Sequence, residues 1–397
     1  MPVLLPSFWT DLRLAVTVMF CGALSGANIA KLAPTVESLA TSFDMSLSQL
    51  GLLASIFTLV MVLAGVLIGS VVEGVGAKRT LVTALLVGCA GNFISLVGDT
   101  LLLLFIGRAI EGFSLIALTL TAPSILTRYT NPAHRGWVMG VWGGFMPMGN
   151  ALAIITAALL IGVGGWQIVW KAGLAFSVLV TIIAVVLIPK DLEKYSLKFD
   201  ISSLALAIRL PLLGFIGLCF ALHSLVYQTL IQFMPLMSQS LGGFTLAEGA
   251  FIAAFFCMIN FIGNLLAGQL LQRGWRPALI VRLAFAAIAI LLLALAGLSF
   301  SPPLFIFLLI LIGFVSGGSP PVFFYLASRS SDNAQTLPVF IAWVFQIQGL
   351  GMLIGPALVS RAVDTSGSWI IGILCLVPAC LLVVIMSGFL RLPKQPQ

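Results

Sequence analysis

Along the chain, apolar residues gather in long unbroken runs, separated by short clusters of Gly, Pro and charged residues rather than alternating with polar ones. Twelve runs stand out: 12–33, 49–72, 80–97, 101–127, 136–162, 168–188, 210–237, 246–271, 278–298, 303–327, 338–363 and 369–390. About 20 helical residues cross about 30 Å of hydrocarbon, so each run predicts a membrane-spanning helix. The ten-residue alternating segments of a membrane barrel are missing, and an all-α integral membrane fold is expected. The first run is too long for a secretory signal and is flanked by Asp11, Arg13 and Lys31, so it is expected to stay in the protein.

Composition agrees with this pattern: 60% of the 397 residues are hydrophobic, 8% are charged, and mean hydropathy is +1.18. The net charge of +7 could suggest a polyanionic partner, but its distribution reports topology instead. An even number of spans puts both termini on one side. Loops there carry Lys78, Arg79, Arg128, Arg135, Lys190, Lys194, Lys198, Arg273, Arg276, Arg329, Arg391 and Lys394, while the opposite loops carry Glu37, Asp44, Asp99, Glu248 and Asp364. The positive-inside rule then predicts cytoplasmic termini in a bacterial-type inner membrane, and no nucleic-acid partner. The six cysteines all lie in apolar runs without metal-ligand spacing, so no metal site is expected.

The one long polar segment, 189–209, divides six spans from six. Domains are therefore expected at 1–188 and 210–390, joined by a loop at 189–209 and followed by a tail at 391–397. A weak repeat crosses the divide at an offset of about 200 residues. "GSVVEGVGAKR" (69–79) answers "GQLLQRGWRP" (268–277), and "GVWGGFMPMGN" (140–150) answers "GLGMLIGPAL" (349–358). Internal duplication of this kind builds many secondary transporters, with a substrate site near the midplane between repeats.

Four groups of residues carry candidate chemistry. Gly69, Glu73, Gly76, Lys78 and Arg79 form a tight, charged loop after the second span, suited to gating or to simple positive-inside anchoring. Arg108 and Glu111 lie three apart, on one face of the fourth span, about 10 and 15 Å from its outer end. Ions at that depth must face the bundle interior; they could be a lasting ion pair or a site where Glu111 carries a proton. Asn28 and Lys31 share a face of the first span. Lys31 could snorkel to the outer surface, or it could draw anions into a cavity flanked by Arg108, Lys171 and Arg361. Gly140, Gly144, Pro147 and Gly149, with Gly351, Gly355 and Pro356 in the other half, permit close helix packing.

The 69–79 loop resembles the loop between the second and third helices of the major facilitator superfamily, although Glu73 and Gly74 stand where that family usually has Asp and Arg. "GRAIEG" is similar to its fourth-helix motif, in which Arg108 and Gly112 would be tied to proton coupling, and "GVWGGFMPMGN" is similar to its fifth-helix antiporter motif. The resemblance implies two pseudo-symmetric six-helix bundles that expose a central site alternately to each face. It also implies a cavity lined by the first, fourth, seventh and tenth helices. On that basis His223, Tyr227, Gln228, Gln232 and Tyr325 join the candidate site, with Tyr325 following a helix-breaking "SGGSPP". "NIAKLAP" and "MPMGNALA" are similar to small-anion and nitroimidazole permeases more than to drug pumps.

No Walker loop, zinc signature or nucleophile elbow occurs, so neither an enzyme nor an ATP-driven machine is expected. The expected function is proton-coupled movement of a small anionic organic solute by a monomer in the lipid bilayer. It needs no cofactor, the proton gradient being its energy source. A proton-driven multidrug antiporter of the same fold is the alternative.

Overall fold

A computed structural model describes residues 8–45, 49, 52–53, 56–63, 65, 68, 75–191, 201–297, 301–330 and 337–390. Within lipid every backbone N–H and C=O must be satisfied inside its own segment. The apolar runs accordingly become helices, and no strand occurs among the described residues. They are α1 (Phe8–Ala30), a short α2 (Val36–Phe43), α3 (Ala77–Val97), α4 (Leu101–Tyr129), α5 (Arg135–Gly143) and α6 (Phe145–Leu187). After the divide come α7 (Ile201–Arg209), α8 (Pro211–Gly242), α9 (Leu246–Gln272), α10 (Pro277–Gly297), α11 (Pro302–Ser316), α12 (Pro320–Arg329), α13 (Leu337–Ser366), α14 (Trp369–Leu374) and α15 (Val377–Met386). The described part of the second run, 52–68, is helical as well.

Several helices depart from the plain runs for identifiable reasons. The fifth span breaks between α5 and α6 because Pro147 has no N–H to offer the Gly143 carbonyl. The long α6 contains the fifth and sixth spans, separated by non-helical Gly164 and Gly165, the latter at φ 60°. The tenth span divides into α11 and α12 at the expected "SGGSPP". There Pro320 and Pro321 withhold the two N–H groups that would continue the helix. The segment expected as a loop at 189–209 contains α7, while 192–200 lie outside the described residues.

Internal duplication appears as repeated packing. A Cβ at Gly149 would collide with the Ala23 carbonyl, and one at Gly351 would collide with the Ala221 carbonyl, so α1 meets α6 as α8 meets α13. The two halves also cross each other twice. At one crossing a Cβ on Gly140 would stand 2.9 Å from the Cα of Gly268; at the other, a Cβ on Gly65 would stand 2.7 Å from Cγ of Gln346. These crossings, α5 on α9 and the second run on α13, are related by the same offset.

Candidate functional site

Charge in the membrane interior is concentrated in one cluster in the first half. Lys31 sits one residue beyond α1, and Thr35 Oγ1 fixes the turn there by donating to the Lys31 carbonyl at 2.8 Å. Lys31 Nζ donates to Glu111 Oε1 at 2.7 Å and to Asn28 Oδ1 at 3.0 Å. Arg108 Nη1 donates to Glu111 Oε2 at 2.5 Å and to the Asn28 carbonyl at 2.7 Å. Lys31, Arg108 and Glu111 are 3%, 1% and 1% exposed, and Arg108 Nε has no hydrogen-bond partner among the described residues. Aromatic faces complete the shell: Lys31 Nζ lies 4.5 Å from the Trp170 ring centre, and the Arg108 guanidinium 4.7 Å from that of Phe57.

Two glycines let neighbours close around the ion pair. A Cβ at Gly107 would stand 2.8 Å from the Ser95 backbone nitrogen in α3, and one at Gly112 would stand 2.7 Å from the Phe57 carbonyl of the second run. Over the cluster lies an apolar cap of Leu32, Leu39, Met45, Leu53, Leu104, Trp166 and Trp170. Its short helix α2 is held by Trp166, whose backbone N–H donates to Ser38 Oγ at 3.1 Å and whose Nε1–H donates to Ser42 Oγ at 3.0 Å. Lys31 therefore does not snorkel, because α2 and the two tryptophans cover it. Lys171 and Arg361, expected beside it, are exposed and belong to no such cluster.

The seventh-span residues separate into two faces. His223 stacks on Tyr227 with ring centres 5.6 Å apart, and Phe220, Phe285, Phe323 and Phe256 surround the two rings. That face of α8 points into its own bundle toward α9, α10 and α12. Both side chains are buried among these aromatic rings. Ser224, Gln228 and Gln232 follow at four-residue spacing on another face. Gln228 is buried, Gln232 is exposed, and Gln348 Nε2 of α13 donates to Ser224 Oγ at 2.7 Å. Tyr325 lies half-buried near Arg135, on the side of the basic loops, and does not meet the ion cluster.

On that basic side the halves are drawn together. Gln346 Nε2 donates to the Val62 carbonyl at 2.8 Å, Phe324 packs edge-on against Trp142, and Gln272 Nε2 reaches the Ala133 carbonyl at 3.3 Å. Gly144 faces Phe261 across the same seam. Asp11 Oδ2 contacts His134 Nδ1 at 2.7 Å and accepts from the Asn131 N–H at 3.1 Å, fastening the start of α1 to the 131–134 turn. In the 69–79 loop, Gly69 and Glu73 lie outside the described residues. Gly76 takes φ 99° at the start of α3, where the Lys78 and Arg79 N–H groups donate to Asp191 at 3.1 and 3.2 Å. Arg79 is exposed, and Lys78 Nζ binds the Val185 carbonyl at 2.8 Å, holding the end of α6.

Pairs distant in sequence carry no local signal, and three contributors to this arrangement escape the sequence pattern for that reason. They are Trp170 beneath Lys31, Phe57 beneath Arg108, and Gln346 at the seam. Trp166 and Trp170, four apart near a glycine pair, were the only visible hint of the cap.

Comparison with known proteins agrees with this architecture. The family model described as Major Facilitator Superfamily matches residues 18–356. The chain is 25% identical to the 2-nitroimidazole transporter of Escherichia coli K12, across 85% of this chain and 84% of that one. It is 23% identical to the "Probable sulfoacetate transporter" of Cupriavidus necator, across 70% and 67%. A Mycobacterium tuberculosis "Multidrug resistance protein B homolog" is 30% identical over 131 residues; the chain spans about a quarter of its length, 24%, and 33% of this chain is matched. The crystal structure of the human organic anion transporter MFSD10 superposes with a TM-score of 0.78 at 16% identity, covering 94% of this chain and 99% of that one. With a match over most of its length and the same all-helical architecture, the chain belongs to the major facilitator superfamily and is a transporter rather than an enzyme.

Proposed function

We propose that the solute is a small organic anion, moved together with protons by alternating access. The observation that carries this reading is the cluster itself, in which two cations share one carboxylate deep within the first half. Buried excess positive charge is costly in hydrocarbon, and an anion entering beside Arg108 Nε and Lys31 would relieve it. Ser224, Gln228, Gln232 and Gln348 offer neutral hydrogen-bonding groups from the second half. One relative is named for sulfoacetate, an anion, which supports the reading, and another for a nitroimidazole. By the positive-inside rule the sealed basic side is the cytoplasmic one, with both termini there, so the described state is closed toward the cytoplasm.

A thermal-shift screen of the purified protein tests the reading with organic anions, neutral nitroaromatics and lipophilic cations. A stabilising ligand at about 100 times its Kd adds about 2.7 kcal/mol. Anions are expected to raise the unfolding temperature of the wild type and not of Arg108→Ala. Stabilisation by lipophilic cations alone would overturn the reading in favour of multidrug antiport.

A further inference from the structure

The cluster leaves open which of its three groups gives up a proton, and its geometry distinguishes them. Each oxygen of Glu111 is already engaged by a cation, Oε1 by Lys31 and Oε2 by Arg108. Protonating Glu111 would leave two cations side by side in a dry interior with no counter-charge. Arg108 keeps its charge under all working conditions. Removing the proton from Lys31, in contrast, leaves a neutral Arg108–Glu111 pair whose hydrogen bonds to each other and to the Asn28 carbonyl are intact.

Among the described side chains, the remaining surroundings of Lys31 hold no competing charge; Glu37 of α2 lies outside them. Glu111 and Arg108 face it from α4, and Asn28 from α1. From α6 comes the Trp170 ring, with Lys171 exposed beside it, and the described part of the second run contributes Phe57 and no titratable side chain. In α3 the buried polar side chains are Thr80, Asn92 and Ser95, all neutral.

We infer that Lys31, not Glu111, is the proton carrier, and that its proton travels with the anion. The inference rests on the anionic-solute reading and adds the site of coupling. With Lys31 neutral the cluster has no net charge. With Lys31 protonated it carries one excess positive charge, which a monovalent anion completes. Proton and anion therefore bind together and strengthen each other reciprocally. Lys31 Nζ takes its proton from water on one side and returns it to water on the other, and no other bond changes. Transport of a monovalent anion is then electroneutral.

The test reads the lysine directly. Purified wild-type protein carrying lysine labelled with 13C at Cε is examined by NMR without any anionic solute, the Lys31 signal being identified by its loss in Lys31→Arg. Infrared difference spectra of wild type against Glu111→Gln report the carboxyl group. Across a pH titration the Lys31 signal is expected to convert from ammonium to neutral amine before the exposed lysines do, with no protonated-carboxyl band assignable to Glu111. A Lys31 signal that stays ammonium as long as the exposed lysines, or a carboxylic-acid band that Glu111→Gln removes, overturns the inference. In proteoliposomes supplied with sulfoacetate and benzoate, Lys31→Arg is expected to lose pH-driven accumulation at least tenfold; unaltered accumulation overturns it. Failure of the wild type to move any anion would instead defeat the anionic-solute reading, leaving the spectra to judge where the proton resides.

Discussion

Removing the carboxylate from the buried cluster and removing its lysine are predicted to have very different consequences. Lys31 and Arg108 lie 2.7 and 2.5 Å from Glu111. At an effective dielectric constant of about 20, the Arg108 contact corresponds to about 6 kcal/mol of attraction, as does the Lys31 contact while the lysine is protonated, most of it offset by desolvation. Glu111→Gln removes the only carboxylate and leaves buried charge unpaired, a change that costs about 3–5 kcal/mol. Lys31→Met keeps the Arg108–Glu111 pair and fills a similar volume. It leaves Asn28 Oδ1 without its donor, at about 1 kcal/mol, but also removes a buried polar amine whose desolvation is costly. At about 2–4 °C per kcal/mol, Glu111→Gln should lower the unfolding temperature by about 6–20 °C and Lys31→Met by less than about 4 °C. Intrinsic tryptophan fluorescence on heating in detergent measures both. A loss in Lys31→Met equal to that in Glu111→Gln would refute the reasoning, because it would mean that the pair is not self-sufficient.

Other changes probe the seam, the cap and the packing. Gly140→Leu places a side chain where the halves meet at Gly268, and should lengthen the distance between spin labels on Asn131 and Arg273. Gln346→Ala removes the bond to the Val62 carbonyl, worth about 1 kcal/mol, and should raise the open population about fivefold in the same distance measurement. Gly112→Ala forces a methyl group against the Phe57 backbone and should cost about 1–3 kcal/mol in thermal unfolding, with correspondingly weaker anion binding. Trp166→Phe deletes the Nε1–H bond to Ser42 and should increase hydrogen exchange in α2 without altering exchange in α8.

Much of this fold was legible because the bilayer imposes a simple rule on apolar runs. Span positions, the break at Ser316–Pro320 and the pairing of Arg108 with Glu111 follow from local periodicity and from residues that cannot continue a helix. Contacts that join distant runs were hidden. Lys31 and Glu111 stand 80 residues apart, and nothing near Lys31 announces that Trp170 and α2 will cover it. Helix α2 is only eight residues long, and its exposed and buried positions resemble an ordinary loop until Ser38 and Ser42 meet Trp166. The packing of one face of α8 was hidden for a related reason. His223 and Tyr227 look like polar cavity groups in a helical pattern, yet surrounding phenylalanines from three helices make their aromatic area the dominant property.

The central claim is that excess positive charge in the first half draws an organic anion and a proton through the membrane together. Accumulation of a radiolabelled anion, chosen as the strongest stabiliser in the thermal screen, by proteoliposomes with an imposed inside-alkaline pH gradient tests it most directly. The account predicts accumulation that collapses when the gradient is dissipated and is lost in Arg108→Ala. Anion movement indifferent to the gradient, or undiminished in Arg108→Ala, would contradict it.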